Sequence, residues 1–170
     1  GRIVTYVNRK AFSAGAFIAF ATSQVFMAPK SVIGVAAPIL MGPSGQTLET
    51  SETMEVKVTS RIAALLRRSA QKNGYDVEIV DAMIDKSKEL KIGDEVLCEK
   101  GQILTLTNVE AEMEYGDPPK RLLSSGTVDG IDDLIKVLNI ADPQTVRIEP
   151  IGFEPAGRLL IRILIIIVVL

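Results

Sequence analysis

The chain has 170 residues, a length typical of one domain, and 47% of them are hydrophobic, enough for a substantial core. The net charge of −2 offers no basic surface of the kind that nucleic-acid binding needs. Histidine is absent and cysteine occurs once. This composition excludes Ser-His-Asp triads, Cys-His pairs, histidine metal sites and thiolate-cluster zinc sites within the chain, and no cofactor or metal is expected.

Strand and helix patterns alternate along the first forty residues. Ile3–Val7 is rich in Ile, Val, Thr and Tyr and is predicted to be a strand. A second apolar strand pattern runs into Ser13 and then into an alanine-rich helix predicted over Ala14–Ser23. Val25–Ala28 is a short strand, and Val32–Leu40 is an edge or irregular strand because it contains glycine and proline.

The middle of the chain is predicted to be helical. A turn-rich loop, Met41–Gln46, precedes the longest helix, Ser51–Asn73, which Gly74 ends. Val77–Ile84 is a second, shorter helix. The apolar face predicted for the long helix consists of Met54, Val58, Ile62, Leu65, Leu66 and Ser69.

Shorter elements follow. Ile92–Cys98 and Gln102–Leu106 are strand candidates, and Thr107 is predicted to cap a helix over Val109–Tyr115, with Glu110 completing a capping box. The remaining predicted elements are a short strand, Thr127–Val128, and an amphipathic helix, Ile131–Leu138. The alternation of strands and helices indicates a layered α/β or α+β domain over residues 1–140.

The last part of the chain changes character. Residues 141–158 are predicted to be a linker, and 159–170 are apolar except for Arg162. A spanning helix needs about 20 apolar residues, so this stretch is interpreted as the start of a transmembrane helix that the sequence cuts short. The alternative is a buried C-terminal strand of β-branched residues.

Ser13 and Lys57 are the candidate catalytic residues. Ser13 is either a helix N-cap or a nucleophile whose oxyanion would lie at the start of a helix. Without histidine, its base must be a lysine or a carboxylate. Lys57 stands between two valines near the start of the long helix and is the best-placed lysine, although a surface lysine would fit the same pattern. Cys98 is predicted to be a small core or loop residue and not a nucleophile.

Three motifs in order resemble the NfeD family of membrane-bound serine proteases, the stomatin-operon partner proteins. That family is related to signal peptide peptidase A and to the Clp-protease/crotonase superfamily. The motifs, which together cover nearly the whole chain, are Ser13–Ala19 with Met27-Ala28-Pro29, Lys57–Thr59 with Ala64 and Arg67, and Lys100–Thr107 with Glu110-Ala111.

The resemblance implies a Clp-protease/crotonase-like layered β/α fold whose first β/α units, with the glycine turn of the oxyanion hole, precede residue 1. It implies that Ser13 is the nucleophile, that Lys57 is the general base and that the N–H of Ala14 holds the oxyanion. The apolar groove residues that suit this resemblance are Ile103, Leu104 and Leu106.

The implied function is a membrane-anchored endopeptidase that cleaves apolar segments of membrane proteins such as stomatin-like partners. Its protease domain would lie on the extracytoplasmic side and form dimers or larger rings. Two alternatives stay open: a non-catalytic scaffold that binds stomatin-like proteins, and a crotonase-like acyl-CoA enzyme on the same fold.

Overall fold

In a computed structural model, residues 2–37 and 51–146 are described, apart from the side chains of Glu52 and Glu55. The predictions for residues 38–50 and 147–170, including the loop at 41–46 and the transmembrane start at 159–170, lie outside the described residues. Across the two described ranges, no helix is both long and apolar enough to cross a membrane. The chain divides into two compact units, Gly1–Leu138 and Asn139–Leu170. Residues 139–146 of the second unit are exposed.

Two successive strand–strand–helix units form the framework of the first compact unit. They are β1 (Val4–Val7), β2 (Lys10–Phe12) and α1 (Ala14–Phe20), followed by β3 (Gln24–Met27), β4 (Val32–Gly34) and α2 (Glu52–Asn73). β1 pairs in parallel with β3, and β2 pairs in parallel with β4. The single helix α1 therefore serves as the crossover for two parallel strand pairs, which places its N-terminus beside the end of β4.

Shorter elements extend this framework. They are α3 (Val77–Ile84), β5 (Leu90–Ile92), β6 (Glu95–Cys98), β7 (Thr105–Thr107), α4 (Asn108–Ala111), β8 (Glu114–Tyr115), β9 (Lys120–Arg121), β10 (Gly126–Thr127) and α5 (Ile131–Val137). The two three-stranded sheets have the orders β1-β3-β10 and β2-β4-β7, with β7 antiparallel to β4. Two hairpins, β5–β6 and β8–β9, are separate from them. The predicted mixed α/β class is confirmed.

The buried face of the long helix α2 overlaps the predicted one in part. Of the predicted residues, Leu66 is buried and Val58, Ile62 and Ser69 are half-buried, whereas Met54 and Leu65 are 50% and 66% exposed. The other buried residues of the helix are Ala63 and Ala70. The buried residues of α1 are two alanines, Ala16 and Ala19, and Phe20. The alanines on both helices allow close packing, so the core contact of α2 extends from Leu66 to Ala63 and Ala70 and leaves Leu65 outside.

The end of α2 and the whole of α3 follow the sequence prediction. Gly74 adopts the left-handed conformation at φ 79, and the Tyr75 N–H donates to the Ala70 carbonyl at 2.9 Å. This is the bond pattern of a Schellman motif. The Tyr75 ring then meets Phe20 of α1 edge-on, with ring centroids 5.6 Å apart. The residue that follows the C-terminal glycine of α2 therefore also packs against α1.

Two predictions in the second half of the chain are wrong in part. Ile92–Cys98 is not one strand, because the chain turns at Gly93, φ 62, and pairs β5 with β6. The capping box of Thr107 and Glu110 is confirmed, but the helix that it starts ends at Ala111. The last residues of the predicted helix form β8 and pair with β9 instead.

A polar cluster joins the β8–β9 hairpin to the start of α3. Tyr115 Oη donates to Asp76 Oδ2 at 2.5 Å, and Lys120 Nζ lies 3.6 Å from the same oxygen. Asp76 is also the N-cap of α3 and accepts the Glu78 N–H through Oδ1 at 2.9 Å. Burial raises the pKa of Asp76, but these hydrogen bonds and the Lys120 charge outweigh it and hold the pKa below its ordinary value. These long-range contacts explain why residues 114–115 form a strand and not the end of the predicted helix.

β4 and β7 approach most closely at Gly34. A Cβ at this position would lie 2.3 Å from the Leu104 carbonyl oxygen and 2.7 Å from Thr105 Cα, and the backbone has φ 150. Only glycine fits both the space and the dihedral angle. The isolated glycine of the strand pattern therefore marks a close backbone approach.

We predict that Asp76→Asn removes pH-dependent stability while keeping the helix cap, because Asn caps helices as well as Asp does. A carboxylate with a lowered folded-state pKa contributes stability above its unfolded pKa, about 3.9, and loses it as the pH falls through the folded value. The free energy of unfolding of the wild type should exceed that of the variant most at pH 6–7 and converge with it near pH 2. Urea unfolding across this range measures the difference. Asp129→Asn, at an exposed carboxylate, is the control, and a gap that persists unchanged at low pH would contradict the prediction.

We also predict that Gly34→Ala lowers the free energy of unfolding by about 2–4 kcal/mol, because the added methyl group meets backbone and cannot be accommodated by a rotamer change. Thermal and urea unfolding measure the loss. The matched control is Gly15→Ala in α1, where the new Cβ would meet Ala11 Cβ at an ordinary 3.4 Å and alanine favours the helix. Equal stability of the two variants would show that the close approach at Gly34 is not a constraint.

Candidate active site

Ser13 occupies a sharp turn between β2 and α1. Its backbone has φ 50 and ψ −118, a combination that non-glycine residues rarely adopt. A strained strand-to-helix turn of this kind is how nucleophilic serines are held with the hydroxyl projecting from the end of a sheet. The residue is exposed, so the hydroxyl is accessible.

The Ser13 hydroxyl does not cap α1. The residue stands at the N-cap position, and its carbonyl accepts the N–H groups of Ala16 and Phe17 at 3.0 and 3.2 Å. Its side chain, however, makes no capping hydrogen bond. The helix-cap interpretation of this serine therefore does not hold for its hydroxyl, which is left available for other chemistry.

Ala14 follows directly as the first residue of α1 and is exposed. The N–H groups of the first helical turn have no intrahelical acceptor. The Ala14 N–H is therefore a donor at the turn that also carries the Ser13 hydroxyl. This is the placement expected of one oxyanion donor.

Val35 is a part of this site that the sequence reasoning missed. It follows β4, which pairs with β2 in the register Phe12↔Gly34. The Ser13 N–H donates to the Val35 carbonyl at 3.0 Å. The hydrogen bonding between β2 and β4 therefore extends one residue beyond both strands. Val35 itself has φ 43. The glycine directly before it was the available signal, because an isolated glycine in a strand indicates an unusual backbone approach.

Lys57 lies in the second turn of α2 and is exposed. It stands nine residues before the buried Leu66, and at about 100° per residue this separation places the two on opposite sides of the helix. Of the residues that the structure describes, Ser13 and Lys57 are not joined by a hydrogen bond. The Ser/Lys pair therefore stays a prediction.

The predicted groove residues separate into two kinds. Leu104 and Leu106 are each 1% exposed and belong to the hydrophobic core, so their side chains do not line an exposed groove as predicted. Ile103 is half-buried. The segment nevertheless borders the Ser13 turn through its backbone, because the Leu104 carbonyl accepts the Val35 N–H at 3.1 Å. Side chains two residues apart lie on the same face of an extended segment, and for Leu104 and Leu106 that face is the one that packs against the core.

A cavity of about 370 Å³, widely open to solvent, lies beside α1. Ala11 and Gly15, each two residues from Ser13, contribute to its wall, and Ile18 adds an apolar surface. Arg9 and Lys10 supply positive charge. The cavity is large enough for an amino-acid side chain and combines an apolar wall with a cationic rim.

Cys98 is not a rival nucleophile. The residue is 2% exposed, which confirms the core placement expected from the sequence. Burial, assisted by the nearby Glu99 charge, raises the pKa of the thiol. A buried thiol that stays protonated is a poor nucleophile, so the candidate chemistry stays with Ser13.

Comparison with solved structures finds a fold shared with a protease. The chain is similar to two mutants of the 1510-N membrane-bound stomatin-specific protease. One mutant carries a lysine-to-alanine change and is in complex with a substrate peptide; its TM-score is 0.56. The other carries a serine-to-alanine change, with a TM-score of 0.55. Each is 26% identical and is matched over 79% of this chain, which spans 51% and 54% of the two protease chains.

Sequence comparisons give the family. The profile described as "NfeD1b, N-terminal domain" matches residues 2–148. Membrane protein NfeD1b of Bacillus subtilis (strain 168) is 33% identical over 142 residues, which are 84% of this chain. The chain spans only 28% of that relative's length. On the extent of the profile match, this chain belongs to the NfeD1b N-terminal domain family.

Proposed function

We propose that this chain carries the catalytic serine of a membrane-anchored serine endopeptidase that works through a Ser/Lys dyad. The observation that carries the proposal is the Ser13 turn: an accessible serine at φ 50 between a strand and a helix, with no capping bond on its side chain. The chain shares its fold with a protease described as stomatin-specific, which supports a peptidase function.

Lys57 is proposed as the general base. The two similar proteases are a serine mutant and a lysine mutant, and the substituted positions are 41 residues apart in their own chain. Ser13 and Lys57 are 44 residues apart here. This near-equal spacing supports assigning the two roles to these residues, in a chain that contains no histidine to act as the base.

The proposed reaction is acyl transfer to serine. Neutral Lys57 accepts the Ser13 proton while Ser13 Oγ attacks the carbonyl carbon of the scissile peptide. The negative oxygen of the tetrahedral intermediate accepts a hydrogen bond from the Ala14 N–H. Protonated Lys57 then gives its proton to the leaving amine, and water hydrolyses the acyl-enzyme with Lys57 again as the base.

Catalysis by this route requires a change at the start of α2. Lys57 is exposed, on the side opposite the one that packs against the core, and is not bonded to Ser13. Catalytic hydrogen bonds are often long or poorly aligned before substrate binds and tighten in the complex. We propose that an occupied site draws the first turns of α2 towards Ser13 and closes the dyad.

The proposed substrates are apolar segments of membrane proteins, stomatin-like proteins among them. The similar protease is described as stomatin-specific, and the Bacillus relative is described as a membrane protein. Ile103 and the apolar wall of the cavity beside α1 are the described surfaces that suit such a segment. We further propose that the domain lies on the extracytoplasmic side of the membrane and works as a homo-oligomer.

A second candidate is a non-catalytic scaffold that binds stomatin-like partners at the same surface. The observation that favours it is the exposed position of Lys57 without a bond to Ser13. A scaffold would keep its affinity for partners after substitution of either residue, whereas a protease would lose turnover. A measurement of turnover therefore distinguishes the two functions, whereas a measurement of binding does not.

We predict that Ser13→Ala and Lys57→Ala each lower kcat by at least about 10³-fold, because each removes one member of an interdependent pair. The measurement is cleavage of a fluorogenic apolar peptide by the full-length protein in lipid vesicles. The double variant should be no worse than either single variant, since the two residues act in one step.

Matched controls come from α2 itself. Ser60→Ala and Lys72→Ala remove an exposed serine and an exposed lysine from the same helix and should leave cleavage within about twofold of wild type. Cleavage that survives both Ser13→Ala and Lys57→Ala would rule out the dyad. Wild-type protein that binds the peptide without turnover, with affinity unchanged by the substitutions, would establish the scaffold instead.

A further inference from the structure

The residue after β4 combines an exposed valine with a backbone conformation that valine avoids. Val35 has φ 43 and is 44% exposed. For a β-branched residue, a positive φ is a true outlier, because its side chain crowds the preceding and following peptide units. Such a conformation persists only where the surrounding structure enforces it.

Three backbone bonds enforce it. The Val35 N–H donates to the Leu104 carbonyl at 3.1 Å, and the Ala36 N–H donates to the Met83 carbonyl at 2.8 Å. The Val35 carbonyl accepts the Ser13 N–H at 3.0 Å. The segment is thus fixed on one side to the end of α3 and to residue 104, and on the other side to the serine turn.

Its neighbours remove the remaining freedom. Gly34 lies against the Leu104 carbonyl so closely that no side chain fits, which sets the path of the chain into Val35. The Leu104 N–H donates to the Ala82 carbonyl at 2.9 Å, so the acceptor for Val35 is itself held by α3. A continuous series of peptide hydrogen bonds therefore runs from α3 through Leu104 and Val35 to Ser13.

Ser13 depends on the end of this series. It is the other strained residue of the site, with φ 50, and its N–H is committed to Val35. That bond fixes the peptide plane before Ser13 and leaves the Ala14 N–H as the turn donor that can face an oxyanion. A serine whose φ drifted towards ordinary values would rotate its hydroxyl and this donor together.

We propose that Val35 is a positioning residue: its branched side chain, held at positive φ, makes the segment stiff enough to keep Ser13 in the conformation that reaction requires. The inference rests on the proposed function, and Val35 itself takes no part in bond making. Valine suits this role because branching at Cβ limits the backbone, whereas glycine at the same place would populate several conformations.

The test compares Val35→Gly with Val35→Thr in the full-length protein. Glycine relieves the strained φ and frees the segment, whereas threonine keeps the branching and nearly the same volume. We expect Val35→Gly to lower kcat at least tenfold with KM within about twofold, while its urea midpoint stays equal to or above that of the wild type. Val35→Thr should keep kcat within about threefold. Ala37→Gly, two residues further on, controls for general loosening and should leave kcat unchanged.

A second readout does not use activity. Hydrogen exchange of the Ser13 amide should accelerate at least tenfold in Val35→Gly and stay at the wild-type rate in Val35→Thr. Unchanged exchange and unchanged kcat in Val35→Gly would overturn the inference, as would a kcat loss that accompanies a lowered urea midpoint. Wild-type protein without Ser13-dependent cleavage would instead overturn the proposed function and with it the catalytic purpose of Val35. The exchange data would still decide whether the residue fixes the turn.

Discussion

The close approach of Gly34 to the Leu104 carbonyl is the constraint on which the site depends. Because no Cβ intervenes, β4 can lie between β2 and β7 and continue past both of them. The continuation supplies the carbonyl that accepts the Ser13 N–H. The absence of a side chain at Gly34 thereby helps to determine the backbone geometry of the serine that follows β2.

Repetition of the strand–strand–helix unit explains why this constraint can act on the serine. Each unit adds one parallel strand to each of two sheets, so residues that follow the second strand of successive units become neighbours. Ser13 follows β2, and Val35 follows β4, its partner. The serine and its support thus come from equivalent places in two units, although no repeat is visible in the sequence.

Local signals in the sequence were sufficient to predict the helices and several of their ends. The glycine stop at Gly74 and the capping box at Thr107 were predictable because each acts within one turn of a helix. The strands of three or four residues were harder to delimit, and the β5–β6 turn was missed. Tyr115 left its predicted helix because its hydroxyl binds Asp76, 39 residues away in the sequence. Nothing local to Tyr115 could reveal that bond.

The site was predictable in its residue types and less so in its geometry. The strand-to-helix turn at Ser13 was recognisable from the local pattern. Lys57 was the best-placed lysine in the sequence, and its pairing with Ser13 stays a prediction. The inward direction of Leu104 and Leu106 depends on the antiparallel register of β7 with β4, which a single sequence does not contain. The strained Val35 arises for the same reason, since only the assembled sheet imposes its conformation.

The burial of Cys98 has a practical consequence for measuring the approach of the two candidate residues. Since Cys98, the one thiol of this chain, is buried, the chain should give little background with water-soluble thiol reagents. Cysteines introduced in pairs on α1 and α2 would then be the sites that accept spin labels. Distances between such labels, recorded with and without peptide, would follow the start of α2 without removal of Cys98.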